Sequence, residues 1–221
     1  MPGRHASVEQ RRSQIIAAAY EIAADRGLGG LTVRNVGARA GVSTGLVLFH
    51  FRTKEQLDIA LLDWLLETTT VLHVGENIAT IDSPLDRLLA LLQQEMNRLS
   101  SEPRRILLFF DFWARGIRHV GIRTKMRREL KRYREAFRPM AEAVLRSEPG
   151  RFERVTAEAL SAVAVSVIKG CAVQSMIDSK QFDLTQYMAA AQALVGQLAP
   201  DAPPSADHRM LRRRYDDPRA R

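Results

Sequence analysis

The stretch LTVRNVGARAGVSTGLVLFHFRTKEQL, Leu31 to Leu57, leaves the chain few local conformations to choose from. Thr32 stands where an N-cap belongs, its hydroxyl able to accept from the free N–H groups of a first helical turn. Leu31 and Val36 flank it at the spacing of a hydrophobic staple. Val33, Val36 and Ala40 repeat with helical period, and Gly41 follows as a left-handed C-cap. Ser43 then caps a second helix from Thr44 to about His50, with Val47 expected in the core. A supporting helix, a glycine turn and a second helix of this size make a helix-turn-helix, whose second helix can enter a DNA major groove. The T-x-x-Q run from Thr53 to Gln56 opens a further helix.

The chemistry of the stretch suggests contacts residue by residue. Thr32, Arg34, Ser43, Thr44 and Lys54 are candidates for phosphate. Lys54 sits at a helix N-terminus, poor for a cation by itself but favourable once a phosphate is there. Thr44, Gly45, Leu46 and Phe49 are candidates for the groove-facing surface: Gly45 permits close approach, and Leu46 or Phe49 can meet a thymine methyl. The helix has no Arg, Asn or Gln for bidentate base reading, so specificity would rest on apolar contacts and DNA shape. Capping alone would also account for Thr32 and Ser43, and solvation for Lys54.

The run A-G-V-S-T-G-x-x-x-x-H-F-x-x-K-E-x-L, Ala40 to Leu57, resembles the DNA-binding domain of TetR/AcrR-type transcriptional regulators. The preceding L-T-V-R-N-V-G-A-R-A is similar to that family's second helix. S-T-G and F-R-x-K are most like the choline-sensing, betaine-pathway repressor branch. Leu48 stands where many members carry a phosphate-touching tyrosine, so Phe49 or His50 would have to offset that contact. The resemblance implies a homodimer on a two-fold double-stranded DNA operator, and a C-terminal domain that binds a small-molecule effector. Repression is the family's usual mode.

Composition fits this outline. The chain has 221 residues, 46% of them hydrophobic, and a formal charge of +8. That charge suits a polyanionic partner. It is concentrated between Arg118 and Arg138, where nine basic residues face only Glu129 and Glu135. A run of this kind is by default a solvated helix face; an auxiliary phosphate contact or an anionic ligand or partner is the functional alternative. One cysteine, Cys171, excludes an intrachain disulfide and fits a reducing cytoplasm. The N-terminus lacks the apolar core of a secretory signal, and no segment is expected to span a membrane.

The remaining chain reads as helix throughout, with no alternating strand pattern. Ser7–Gln10 forms a first S-x-x-Q box before the stripe Ile15, Ile16, Ala19, Ile22 and Ala23. The helix from Lys54 is expected to run to about Val74, a lever between two units. Ser83-Pro84 and Pro103 start the next two helices. A basic helix from Val120 to Arg146 should kink at Pro139. Two small-residue helices, about Phe152 to Ser179 and from Asp183 onward, suit a four-helix bundle shared by two subunits. The expected fold is all-α with about nine helices: a DNA-binding unit over residues 1–53, an effector-binding and dimerisation domain over 54–199, and a disordered tail over 200–221. Met1 to Ala6 would be a basic arm.

Candidate effector contacts are Phe109, Phe112, Trp113, Cys171 and Gln174. Trp113 with Phe109 could form part of a cation-binding aromatic cage, although an aromatic stripe at helical spacing is more often core. Cys171 reads as a buried packing residue. Five scattered histidines and one cysteine give no metal-ligand spacing and no nucleophile–base set, so neither a cofactor nor enzymatic activity is expected. An architectural, weakly specific DNA-binding protein and a regulator answering to a protein partner are the competing readings.

Overall fold

In the computed structural model, residues 7–69 and 72–196 are described. Among them ten helices and no strand occur: α1 Val8–Gly30, α2 Val33–Ala40, α3 Thr44–Phe51, α4 Lys54–Glu67, α5 Glu76–Ala79, α6 Pro84–Ser101, α7 Pro103–Gly116, α8 Val120–Ser147, α9 Ala157–Ile177 and α10 Leu184–Gly196. The expected arm (1–6) and tail (200–221) lie outside the described residues.

Local chemistry starts these helices as the sequence dictates. Ser7 and Gln10 form a reciprocal capping box. Thr53, Ser83 and Thr156 each accept from the backbone three residues on. Asp183 Oδ1 accepts from the Thr185 and Gln186 N–H groups. Gly27 interrupts α1 with φ +66°. A side chain there would be strained and would also approach the Asp111 carboxylate at 3.0 Å.

Two boundaries differ from expectation. Helix α4 stops at Glu67 instead of about Val74. The Thr68 and Thr69 hydroxyls donate to the Trp64 and Leu65 carbonyls, and the Arg105 guanidinium bonds the Leu65 carbonyl and both hydroxyls. Those bonds satisfy the helix end from outside the helix. Helix α8 continues through Pro139, as expected, with the proline on its exposed side. Helix α9 begins at Ala157, after a loop that buries Phe152.

The helices enclose two apolar cores. The first joins α1–α4 to α7 and the start of α8, with Ile15, Val47, Leu57, Leu61 and Phe112 fully enclosed. The helix-turn-helix unit therefore does not stand alone: Leu108, Phe112, Ile122 and Met126 complete its core, as its small size requires. The second core lies among α5, α6, α8, α9 and α10, around Leu91, Met96, Phe137 and Ile168. Ion pairs tie the first four helices to α7 and α8. Arg115 meets Asp58 at 2.8 Å, Lys125 meets Asp63 at 2.6 Å, and Arg104 meets Asp25 at 2.5 Å.

Helix α9 corrects one expectation. It is long and apolar enough, by length and composition, to cross a membrane. Its composition reflects two apolar sides. One packs Leu160, Ala164, Ile168 and Cys171 into the second core; the other leaves Ala159, Val163, Ser166 and Ile177 exposed. On α10, Ala189, Ala190, Ala193 and Leu194 are likewise exposed.

Candidate DNA interface and effector cavity

The helix-turn-helix is held by short-range bonds. Thr32 Oγ1 accepts from the Asn35 N–H and Ser43 Oγ from the Leu46 N–H, each at 3.1 Å. Gly41 adopts φ 65°, ψ 34°, and the Val42 N–H bonds the Gly37 carbonyl at 2.9 Å. The turn is tight against Gly37, where an added Cβ would lie 3.0 Å from the Val42 carbonyl oxygen. Val47 is fully buried, as its spacing predicts.

The opposite side of α3 is open. Ser43, Thr44 and Gly45 are exposed, Phe49 is 73% exposed, and Leu46 and His50 are half-buried. The Phe49 and His50 rings meet edge to face at 5.4 Å. Thr32 and Arg34 are exposed at the start of α2. Arg39 and Arg52 are exposed nearby and were not singled out from the sequence. Arg52 holds φ 53° at the end of α3, a conformation that L side chains rarely adopt. Lys54 is placed differently from the other candidates. Its ammonium bonds Asp58 at 2.7 Å and lies 3.5 Å from the Leu28 carbonyl. Asp58 is buried, also takes Arg115, and has one oxygen, Oδ1, without a partner. A phosphate contact by Lys54 would have to draw it from that pair.

The candidate effector residues separate. Phe109 lines a partly open cavity of about 30 Å³ together with Leu65, Leu66 and Thr69 of α4, Arg98, Leu99, Glu102, Arg105 and Ile106, Glu129, Leu130 and Tyr133 of α8, and Lys169 of α9. Phe112 is wholly within the first core. Trp113 packs edge to face on Phe109 and stacks on Phe110, but it lines a neighbouring groove with Arg123, Arg127 and Arg134. Cys171 is buried, which pushes its thiol up in pKa, and its sulfur lies 3.9 Å from the Ser175 hydroxyl. Gln174 is exposed on the outer side of α9.

Beside the cavity lies a buried polar cluster that periodicity did not reveal. Glu95 is fully enclosed, paired with Arg98 at 2.7 Å, and accepts from the Tyr133 hydroxyl at 2.8 Å. Burial and the Glu95 carboxylate raise the Tyr133 pKa. Burial raises that of Glu129, opposed by Arg132, Lys169 and Arg128. Burial, then Arg98, lowers the Lys169 ammonium to about 8. Lys169 was missed, although it is the one cation within the apolar run of α9, a signal readable in the sequence.

Two family models match this chain. Residues 15–61 match "Bacterial regulatory proteins, tetR family", and residues 84–200, more than half of the chain, match "BetI-type transcriptional repressor, C-terminal". The chain belongs to the TetR family. Its C-terminal domain is of the BetI type. Among curated relatives, an HTH-type transcriptional repressor of Mycobacterium tuberculosis is 39% identical over 80 residues, 36% of this chain and 43% of its own length. The regulator BetI of Burkholderia mallei is 27% identical over 124 residues, covering 56% of this chain and 64% of its own. The alignments thus span less than two thirds of the length of these relatives. A transcriptional regulator from Saccharomonospora viridis in complex with choline shares the fold. It has a TM-score of 0.63 at 15% identity, covering 86% of this chain and 97% of the other. Among the described residues, no group of three or more His, Cys, Asp or Glu could hold a metal ion.

Proposed function

We propose that this TetR-family protein is a homodimeric, sequence-specific transcriptional repressor in the cytoplasm, released from its operator by a small molecule bound in the C-terminal domain. The observation that carries this is the α3 surface. A short helix, anchored by buried Val47, presents Thr44, Gly45 and a largely exposed Phe49. Apart from its edge-to-face contact with His50, Phe49 is left to solvent in the monomer, and an exposed phenylalanine can meet base edges and thymine methyls in a major groove. Thr32, Arg34, Ser43 and Thr44 are exposed on the same helix-turn-helix and can donate hydrogen bonds to phosphate oxygens, with His50 and Arg39 as further contacts.

The exposed small-residue faces of α9 and α10 support pairing of two subunits. Small side chains let helices approach closely, and pairing would cover Val163, Ile177 and Leu194. Helix α4 supports the coupling. Its first turn belongs to the DNA-binding unit through Lys54 and Leu57, and its last turn walls the cavity through Leu65, Leu66 and Thr69. A ligand that widens the cavity would displace that last turn, and a rigid helix would pass the shift to α3 of both subunits.

The test is titration of the purified protein against DNA flanking its own gene, with scrambled DNA as competitor at physiological salt. A specific regulator should prefer the flanking DNA by about 10³-fold or more, and Phe49→Ala should remove most of that preference while the fold is retained. Equal binding to both DNAs would favour an architectural protein, and no binding would refute the reading.

A further inference from the structure

We propose that the effector is a carboxylic acid with an aliphatic body, and that the Lys169 ammonium holds its carboxylate. This rests on the reading that the cavity beside α4 is the effector site.

The Lys169 Nζ lies 4.4 Å from the centre of the Phe109 ring and 4.9 Å from that of Tyr133. A cation-binding cage leaves the place over such rings to its ligand. Here the protein's own ammonium occupies it. A quaternary ammonium ligand would meet a like charge instead of an empty aromatic face, whereas an anion would find a counter-charge. Among the described residues Lys169 makes no hydrogen bond and no ion pair, so no described carboxylate contacts it directly; Glu129 and Glu95 act on it only through space. Glu95 is held by Arg98 and Tyr133. Glu129 lies 3.4 Å from Arg132, and Glu102 lies 3.8 Å from Arg105. Outside the cavity, whose own carboxylates Glu102 and Glu129 are held by arginines, the neighbouring surface is cationic. Leu130 separates the cavity from the groove lined by Arg123, Arg127 and Arg134, and none of these three has an ion-pair partner among the described residues. Together they raise the positive potential on this side of the domain.

The rest of the ligand follows from α9. Lys169, Ala172 and Met176 recur at helical spacing on one side of that helix. Ala172 and Met176 line an apolar groove of about 380 Å³ with Leu107 and Phe182. That groove and the Lys169 cavity share Leu99 and Ile106 as walls. The cavity alone, about 30 Å³, holds little more than a water. An acid seated at Lys169 must therefore part Leu99 and Ile106 from α9 to lay its chain along Ala172 and Met176. That opening moves the wall formed by Leu65, Leu66 and Thr69 of α4.

The experiment is isothermal titration calorimetry of the full chain with octanoate, 1-octanol and octyltrimethylammonium, which carry similar apolar bodies under three head charges. Octanoate should bind at least about tenfold more tightly than the other two. Lys169→Met should erase that preference by weakening octanoate, and Lys169→Arg should retain it, with circular dichroism confirming the fold of each. Equal or tighter binding of octyltrimethylammonium, undiminished octanoate binding by a folded Lys169→Met, or no binding of any probe would each overturn the proposal. The operator titration is read separately. A protein that selects its operator yet ignores octanoate loses this ligand and keeps the regulator reading.

Discussion

The two cores bury different things. Around Ile15, Val47, Leu57 and Phe112 the first core is aliphatic and aromatic, and the buried carboxylate beside it, Asp58, is paired with two cations. The second encloses Glu95 with Arg98 and Tyr133, and carries Glu129 and Lys169 beside a cavity. A close-packed apolar core fixes geometry, which a platform for α3 needs. Buried charges cost stability unless paired, and a domain that retains them keeps polar groups where a ligand can reach them. The difference in chemistry thus follows the division of labour between the unit that reads DNA and the one that would sense a small molecule.

The largest expected effect tests the second core directly. Arg98→Met leaves the Glu95 carboxylate enclosed with only the Tyr133 hydroxyl, and should cost about 3–5 kcal/mol in urea denaturation. Replacing the set together, as Glu95→Leu, Arg98→Met and Tyr133→Phe, should recover most of that loss, because no uncompensated charge remains. Lys54→Met in the first core should cost far less, since Asp58 keeps Arg115. A cost below about 1 kcal/mol for Arg98→Met would mean that Glu95 is not confined as described.

The same contrast governs what could be read from the sequence. The DNA-binding unit is built from local signals. The caps at Ser7, Thr32, Ser43 and Thr53 act within three residues, and Gly41 and Val47 are dictated by a turn and a period. The ends and contents of the second unit depend on distant partners. Arg105 bonds the end of α4 from 36 to 40 residues away, and Tyr133 reaches Glu95 from 38 residues away. Helix α9 is apolar on two sides, so periodicity could not say which side meets the core, and Gln174 points outward instead of toward a ligand. The aromatic stripe of α7 was legible as a stripe but divides among a core, a cavity and a groove: Phe112, Phe109 and Trp113 respectively. Lys54 had a partner at helical spacing, Asp58, which its place at a helix N-terminus overshadowed.

A pH series separates Lys169 from the rest of the polar cluster. Burial lowers its pKa to about 8, against about 10.4 for an unfolded lysine. Between those values the unfolded chain binds more protons than the native one, so this group makes stability rise with pH across that window. Below pH about 8 the native protein holds the charge at a constant cost. Lys169→Met removes that cost and should be more stable than the parent at pH 7 by about 1–3 kcal/mol, the gap narrowing as pH approaches 10.4. A variant that unfolds more easily at pH 7 would show instead that the contacts with Phe109 and Tyr133 outweigh the burial of the charge.

The smallest effect tests whether Ser43, the exposed cap of α3, also holds a phosphate as proposed. Ser43 caps α3 and is exposed, so its hydroxyl is also free to meet a phosphate. Ser43→Ala removes the cap and should cost about 1 kcal/mol of stability, weakening DNA binding as well, so it cannot separate the two roles. Ser43→Asp can. Aspartate caps about as well as serine and is favoured by the helix dipole, so stability should stay within about 0.5 kcal/mol of the parent. Against a phosphate the added charge is repulsive, and operator affinity should fall by about tenfold, more steeply at low salt. Retained stability with retained DNA affinity would make Ser43 a cap and nothing else, and would leave Thr44 and Arg34 to hold the backbone at that end of α3.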